Sequence, residues 1–154
     1  MKTIGYNFLV IIFLMLTSCG DQAFYEKNEP IKNRSWAYNE IPQFEVHITD
    51  KNIKYDVFVN LRHTTHYGFS NLFVLVHEKG PQLRDTAFRH ELKLAELDGR
   101  WTGKGAGSLF QNQLLIKENF TFPDTGVYHF AIEQNMRENP LKEISDVGLK
   151  IVQK

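Results

Sequence analysis

The residue with the clearest chemical role in this chain is its only cysteine, Cys19. It follows a Leu-Thr-Ser tripeptide, which ends an apolar run that begins at Phe8, and Lys2 supplies a basic start. A short basic start, an apolar segment and small residues before a cleavage point make a secretory signal. We therefore predict that residues 1–18 are removed. The thiol of Cys19, which has no second cysteine to pair with, then lies in the first residue of the mature chain.

The Leu-Thr-Ser-Cys19 sequence resembles the bacterial lipobox, in which cleavage occurs just before the cysteine and the thiol then carries diacylglycerol. The alternative is a membrane-spanning anchor, but the apolar run falls well short of the roughly 20 residues that a span requires. One acyl chain contributes about 0.8 kcal/mol per buried methylene and holds a protein only marginally. Two or three chains, palmitate among them, hold it permanently. We expect a domain tethered to a membrane through lipidated Cys19.

Composition excludes several classes of protein. The chain has 18 basic and 18 acidic residues, and removal of the signal takes away one lysine. The mature chain is therefore close to neutral and lacks the basic excess that nucleic acid or anionic lipid attracts, so we expect no nucleic-acid partner. Its length suits one domain. With a single cysteine, the domain has to be stabilised by packing rather than by internal disulfides, although the compartment is oxidising.

Apolar and polar residues alternate with a period of two along most of the mature chain, which is typical of strands with one buried face. Turn sequences such as Gly80-Pro81, Asp98-Gly99 and Asn139-Pro140 separate these segments. We predict an all-β fold, an antiparallel β-sandwich of about seven or eight strands with Greek-key-like connections. Residues 1–18 form the signal peptide, residues 19–40 an anchor and lead-in that lies against the domain, with an edge strand near 35–38, and residues 41–154 the sandwich. The alternating segments lie at residues 44–48, 57–62, 72–76, 88–94, 114–122, 128–132 and 147–151.

One turn carries a more specific signal. The segment from Phe122 to Tyr128 reads Phe-Pro-Asp-Thr-Gly-Val-Tyr. In Greek-key sandwiches, a tyrosine that starts a late strand sends its hydroxyl back to the upstream backbone and holds the crossover. We predict such a tyrosine corner at Tyr128; the alternative is an ordinary turn before an aromatic residue.

No catalytic pattern emerges from the reactive side chains. His63 and His66 are three residues apart, but they leave a strand for a loop, and no cysteine or HExxH sequence completes a metal site. We interpret the histidines as solvated or at the edge of the core. Residues 103–107 lack the ending of a phosphate loop. Ser70 lacks the surroundings of an activated nucleophile. We predict no enzyme activity, no cofactor and no metal.

Polar residues concentrate in two places, near residues 60–72 and in the run that follows the strand at 128–132. The run is either a loop that holds its own backbone through Asn and Asp side chains, or a recognition surface. The combined expectation is that Asn135, Asn139 and Asp146 hold the loop while Arg137 and Glu138 point outward. The candidate interaction surface comprises Asn60, Arg62, Tyr67, Asn71, Glu133, Asn135, Arg137, Glu138, Asn139 and Asp146.

Thr86 is a candidate for modification. Asp85-Thr86-Ala87 resembles the Asp-Thr-aliphatic acceptor of protein O-glycosylation in related envelope bacteria. The alternative is an ordinary loop threonine. The prediction places Thr86 in an accessible polar link before the strand at Phe88.

Several segments together resemble the GldH family of gliding-motility lipoproteins. They are Asn60-Leu-Arg-His-Thr64, residues 67–72, Glu133-Gln-Asn-Met-Arg-Glu-Asn-Pro-Leu141 and residues 146–150, with support from the lipobox, from Asn33-Arg-Ser-Trp36 and from Phe122-Pro-Asp-Thr-Gly-Val-Tyr128. The resemblance covers essentially the whole mature chain. It implies a part in the surface motility machinery and the associated type IX secretion system, with other envelope proteins of that machinery as partners. It implies no catalytic residues, and only Cys19 receives a chemical role.

The alternative function is a carbohydrate- or peptide-binding envelope lipoprotein that uses an aromatic-lined concave face, for which Trp36, Tyr67, Phe69 and Trp101 are the candidates. An exposed row of these side chains would favour it, and their burial would remove it. The mature chain has no acidic run directly after Cys19. We therefore expect an outer-membrane anchor that faces the periplasm, with the inner membrane and the cell surface as the other locations.

Overall fold

A computed structural model describes residues 23–154; the predicted signal peptide and Cys19 lie outside this part of the chain. Strands dominate it, and one 3-10 turn spans Lys32–Arg34. The strands are β1 Tyr25–Pro30, β2 Ser35–Trp36, β3 Gln43–Ile48, β4 Tyr55–Thr64, β5 Asn71–Gly80, β6 Leu83–Lys93, β7 Lys104–Ala106, β8 Leu109–Phe120, β9 Gly126–Gln134, β10 Leu141–Lys142 and β11 Ile144–Gln153. No helix between residues 23 and 154 has the length and apolar character to cross a membrane.

The strands form two antiparallel sheets with a short accessory pair. The first sheet has the order β1-β11-β4-β8-β7 and the second the order β3-β9-β5-β6, while β2 pairs with β10. Because alternate side chains of a strand point to one face, each sheet contributes one apolar row to a shared core. The predicted core residues Val59, Leu61, Phe130, Ile132 and Leu149 are all buried. The predicted all-β antiparallel sandwich is confirmed.

The lead-in segment contributes to the first sheet. Strand β1 pairs with β11, with Tyr25 opposite Ile151 and Pro30 opposite Asp146. The sequence placed an edge strand near residues 35–38. That position holds only the two-residue strand β2, and the edge of the large sheet is formed ten residues earlier. Charged residues interrupt the alternation in β1, which is why its pattern does not read as a strand.

Strand β6 begins earlier than predicted and changes the interpretation of Thr86. The segment before Phe88 is not a link, because β6 starts at Leu83 and Thr86 lies opposite Glu78 in the register. The hydroxyl oxygen of Thr86 is buried and has no hydrogen-bond partner in the described structure. An enzyme that glycosylates the folded domain would need this side chain to rotate outward. Glycosylation of Thr86 stays a prediction, but its expected accessibility is wrong.

The tyrosine corner at Tyr128 is confirmed. The Tyr128 hydroxyl donates to the carbonyl oxygen of Asp124 at 2.8 Å and accepts from the Asp124 amide at 3.2 Å. The ring is fully buried and packs against Phe122, with a centroid distance of 4.6 Å. Gly80 lies directly under this ring, where a Cβ atom would collide with it. The turn after β8 is thereby fixed to the start of β9.

Candidate partner-binding surface

The two ends of the sandwich differ in what they carry. The register places the start of β1, the start of β4 and the end of β11 together; we call this the tether end, because Cys19 precedes it by a few residues. The turns at residues 49–54, 81–82 and 121–125 lie at the same end. The opposite, distal end is formed by the connections at residues 31–42, 65–70, 94–103, 107–108 and 135–140.

Three predicted surface residues are structural. Arg62 places its Nε atom 2.7 and 2.8 Å from the two carboxylate oxygens of Asp146, across the pair of strands β4 and β11. Asn60 is buried beneath β1, where its Nδ2 atom donates to Glu26 at 2.7 Å and to Asn28 at 3.2 Å. The Asn60 contacts connect β4 to β1 across β11, and the Arg62–Asp146 pair connects β4 to β11. They lie on the outer face of that sheet, and the Arg62–Asp146 pair is the nearer of the two to the distal end, since Asp146 is opposite Pro30 at the end of β1.

Asn71, Glu133 and Asn135 form a second group around the outer face of the smaller sheet. Asn71 donates to Glu91 at 2.7 Å. The Nε2 atom of His77 lies 3.1 Å from Glu133 Oε2. Arg89 donates to Asn135 at 2.9 Å. The predicted surface is therefore divided between two faces and the distal end, and these polar side chains mainly join neighbouring strands.

The loop at residues 135–140 is held by two groups that were not predicted and one that was. Asn139 Oδ1 accepts from the backbone amide of Tyr38 at 3.0 Å, as expected of a loop-holding side chain. The Tyr38 hydroxyl donates to the Met136 carbonyl at 2.7 Å. Gln134, which is buried, donates to the Glu138 carbonyl at 3.1 Å and accepts from the Met136 amide at 2.9 Å.

The loop-holding role expected of Asn135 and Asp146 is wrong, because both bond to arginine side chains instead. Sequence proximity suggested that they cap the loop, but the strand register carries them to the faces of the sheets. Arg137 and Glu138 are exposed, as expected. These two, with Asn139, are the members of the predicted surface that project from the distal end.

Tyr67 joins an aromatic cluster at the same end. Its ring is buried beside those of Phe69, Trp101 and His63, at centroid distances of 5.7, 6.4 and 5.4 Å. Its hydroxyl donates to the Asn71 carbonyl at 3.0 Å. Burial, followed by the negative charge of Glu138, raises the pKa of Tyr67 well above its usual value, so the phenol is neutral. Tyr67 is therefore not itself exposed, and it packs beneath the exposed residues of the distal end.

His63 lies inside this cluster and not at the edge of the core as expected. It is fully buried between Trp101, at 4.5 Å, and Phe110, at 5.8 Å between ring centroids. Its Nδ1 atom donates to the Thr64 carbonyl at 2.9 Å, and its Nε2 atom has no partner in the described structure. Burial lowers the pKa of His63. Within residues 23–154, no group of His, Cys, Asp and Glu side chains is arranged to hold a metal ion.

The four aromatic candidates for a sugar platform do not form an exposed row. Trp36 is fully buried, and its indole N–H donates to the Glu40 carbonyl at 2.7 Å. Tyr67 is buried and Trp101 partly so, which leaves Phe69, at 37% exposure, as the accessible ring. Their main role is to pack the distal connections onto the core.

The hairpin at residues 94–102 is an exposed surface that the sequence did not predict. Ala95 pairs with Trp101, and a tight turn with Gly99 in the left-handed region (φ 85°) joins them. Leu97, at the tip, is fully exposed. A shallow cavity of about 530 Å³ lies beside Leu97, Arg100 and Trp101. A single leucine in a polar turn has no periodicity, so only the fold shows that it projects alone.

These features define a class of protein: an all-β sandwich whose conspicuous polar groups are structural and whose distal end presents apolar and charged side chains. The GldH lipoprotein family model matches residues 23–151. A gliding motility lipoprotein GldH homolog of Christiangramia forsetii is 32% identical over 96% of this chain and 95% of its own length. The gliding motility lipoprotein GldH of Flavobacterium johnsoniae is 29% identical over 100% of this chain and 99% of its own length. The chain belongs to the GldH lipoprotein family.

Proposed function

We propose that this protein is a lipid-anchored, non-catalytic component of the gliding motility machinery and of the associated type IX protein secretion system. The observation that carries the proposal is the family relationship, which extends over nearly the whole chain to lipoproteins named for gliding motility. The predicted lipid attachment at Cys19 agrees with it. The anchor lies in the outer membrane, and the domain faces the periplasm.

The structure supports a role in assembly rather than in chemistry. The polar residues that stand out in the sequence are engaged in strand-to-strand contacts, such as Arg62 with Asp146 and Asn60 with Glu26. Arg137 and Glu138, by contrast, project from the distal end on a loop that other side chains hold in place. Ordered loops with outward charged groups suit the recognition of another protein.

Deletion of the gene in its own host tests the motility role. We expect loss of surface spreading and reduced secretion of type IX cargo into the medium, with both restored by the wild-type gene. A deletion strain that spreads and secretes normally would refute the proposal.

A Cys19→Ala variant tests the anchor. It is expected to accumulate as an unprocessed or soluble protein, whereas Ser18→Gly, which keeps a small residue before the cysteine, is expected to be processed normally. Density separation of the membranes then assigns the outer or the inner membrane. Normal cleavage and membrane retention of Cys19→Ala would contradict the proposed lipidation.

A further inference from the structure

Leu97 is an apolar side chain held in full exposure by a firmly anchored turn. The root of its hairpin lies in the core, where Leu94 is fully buried. The Leu94 and Ala95 amides both donate to the Ser70 carbonyl, at 2.8 and 3.0 Å, and the Thr102 amide donates to the Leu94 carbonyl at 2.8 Å. The tip is closed by the Glu96 amide, which donates to the Arg100 carbonyl at 2.8 Å. Such a rigid tip loses little conformational entropy when it is covered.

The surroundings of Leu97 resemble the centre of a protein interface. The cavity beside it is lined by Trp101 and Arg100, residue types that carry much of the energy in protein–protein interfaces, and by the polar residues Glu96, Asp98 and Thr102. Trp101 is supported from below by His63, with ring centroids 4.5 Å apart. Phe69, which is partly exposed, packs on the buried Tyr67, whose ring centroid lies 6.4 Å from that of Trp101. An apolar centre of this kind with a polar rim matches the usual composition of a docking site.

The charges at the rim argue against a lipid surface. Arg100 places its Nε atom 2.7 Å from Asp98, and Lys93 forms an ion pair with Glu96. The hairpin and the adjoining Lys93 of β6 therefore carry two positive and two negative charges that compensate one another. Binding to anionic lipid headgroups requires an excess of lysine and arginine. The rim instead offers hydrogen-bonding groups of both signs to a protein surface.

The position of the hairpin also argues against contact with the membrane, if Cys19 is lipidated as proposed. Ala23 lies four positions after Cys19, so a fully extended chain spans at most about 14 Å between them. Strand β11 has ten residues and runs the length of the sandwich, about 33 Å at the usual rise per residue. Leu97 lies at the distal end, opposite the start of β1. The tether thus keeps the membrane at the end of the domain that does not carry Leu97.

We propose that the hairpin at residues 94–102 is a protein-docking site in which Leu97, Arg100 and Trp101 receive an apolar side chain from the periplasmic domain of another envelope protein. The docked partner stands on the side of the domain that faces away from the anchoring membrane. The compensated charges of Lys93, Glu96, Asp98 and Arg100 form the rim of the contact.

A matched pair of variants in the full-length protein tests the docking site. Leu97→Asp and Leu115→Asp each place a carboxylate at an exposed leucine, but Leu115 lies on the outer face of the large sheet and is 47% exposed. After gentle detergent solubilisation and native electrophoresis, we expect the wild type and Leu115→Asp to migrate in a large complex and Leu97→Asp to migrate alone. Thermal unfolding of the Leu97→Asp variant should match the wild type, since the side chain is already in solvent.

Two outcomes of this experiment overturn the inference. One is a Leu97→Asp protein that stays in the large complex. The other is a wild-type protein that migrates alone, which removes the docked partner. Membrane fractionation of the same cells reports separately on the proposed anchor, so a failure of lipidation is distinguished from a failure of docking.

Tryptophan quenching decides between a protein and a lipid occupant. The lipidated wild-type protein is reconstituted into vesicles that contain brominated lipids, and Trp101→Phe identifies the contribution of Trp101 to the fluorescence. Bromine quenches only at short range, so we expect the Trp101 emission to be unchanged relative to vesicles without bromine. Strong quenching of Trp101 would place the hairpin in the bilayer and overturn the assignment of a protein partner.

Discussion

The two ends of the sandwich differ in packing and exposure. Aromatic rings are closely packed at the tether end, whereas the distal end exposes several large apolar side chains to solvent. At the tether end, the Phe122 ring fills the space between Tyr55 and Tyr128, at centroid distances of 5.3 and 4.6 Å. Four of the seven exposed large apolar side chains in residues 23–154 lie at the distal end, and the other three lie on strands. The distal four are Tyr38, Ile41, Phe69 and Leu97.

At each end, a tyrosine hydroxyl forms a hydrogen bond with the backbone of a loop, but the two tyrosines differ in burial. Tyr128 at the tether end is fully buried, whereas Tyr38 at the distal end is 41% exposed. The Tyr128 contact stabilises the core, whereas the Tyr38 contact orders a surface loop. Under the proposed function, this difference suits the tether end to stability and the distal end to recognition.

The largest expected effect is that of Tyr128→Ala, which should lower the free energy of unfolding by about 3–5 kcal/mol, because it removes a buried aromatic ring. Tyr128→Phe keeps the ring and loses only the hydroxyl contacts to Asp124 and Pro81, so about 1–2 kcal/mol is expected. Urea denaturation at fixed pH measures both.

Tyr38→Phe is the matched change at the distal end. Its hydroxyl is accessible to water, so we expect a loss of less than about 1 kcal/mol. If Tyr38→Phe is as damaging as Tyr128→Phe, the two ends do not differ in the way we describe. If Tyr128→Phe is as stable as the wild type, the corner hydroxyl contributes nothing.

Acid should weaken the two ends in different pH ranges. Burial lowers the pKa of His63, so the unfolded chain takes up a proton near the usual value of about 6.5 while folded His63 stays neutral. Stability therefore falls as the pH drops below that value. His90 shifts in the same direction, mainly by burial. At the tether end, hydrogen bonds from Lys154 and the Asn119 amide lower the pKa of Asp56, so its contribution is lost only below the usual aspartate range.

Urea unfolding at about pH 7 and about pH 5.5 checks this difference. We expect the loss of stability between the two conditions to shrink in His63→Phe, which keeps an aromatic ring in the cluster but cannot be protonated. Asp56→Asn serves as the tether-end control and should leave that loss unchanged. An unaltered loss in His63→Phe would mean that the distal cluster does not sense pH in this range.

Two neighbouring changes in the distal loop should have the smallest effects on stability. Asn139→Ala removes the acceptor for the Tyr38 amide and should cost about 1 kcal/mol. Arg137→Ala removes an exposed side chain and should change stability by less than about 0.5 kcal/mol. Thermal unfolding ranks the two variants.

Co-purification of the membrane complex with the same two proteins separates fold from recognition. If Arg137 is part of the contact surface, Arg137→Ala weakens the complex while its melting temperature barely moves. A normal complex from Arg137→Ala would remove this residue from the proposed surface and leave the loop with a structural role only.

The sequence predicted the parts of the fold in which side-chain alternation and burial coincide. Strands β4, β9 and β11 were located because Val59, Ile132 and Leu149 belong to regular apolar rows. The corner at Tyr128 was found because its turn has a local signature. Strand β1 was not located, since its charged side chains follow no two-residue period.

The candidate surface was harder to predict for a physical reason. A polar residue in a sequence shows that it needs a partner, but not whether the partner is water, another protein or the neighbouring strand. Arg62 and Asp146 find each other 84 positions apart through the register of β4 and β11. Leu97 was overlooked as a surface residue, since a single apolar residue in a turn belongs to no periodic pattern. Only the three-dimensional arrangement separates the structural polar residues from the exposed ones.

The orientation of the two ends relative to the bilayer is the most direct test of this account. With Cys19 lipidated, a cysteine introduced by Thr125→Cys at the tether end or by Asp98→Cys at the distal end is a unique site for a fluorescent donor. Energy transfer to acceptor-labelled lipids in vesicles then measures the distance of each end from the membrane. We predict strong transfer from residue 125 and weak transfer from residue 98. Equal transfer from both sites, or stronger transfer from residue 98, would contradict the assignment of the distal end to partner recognition.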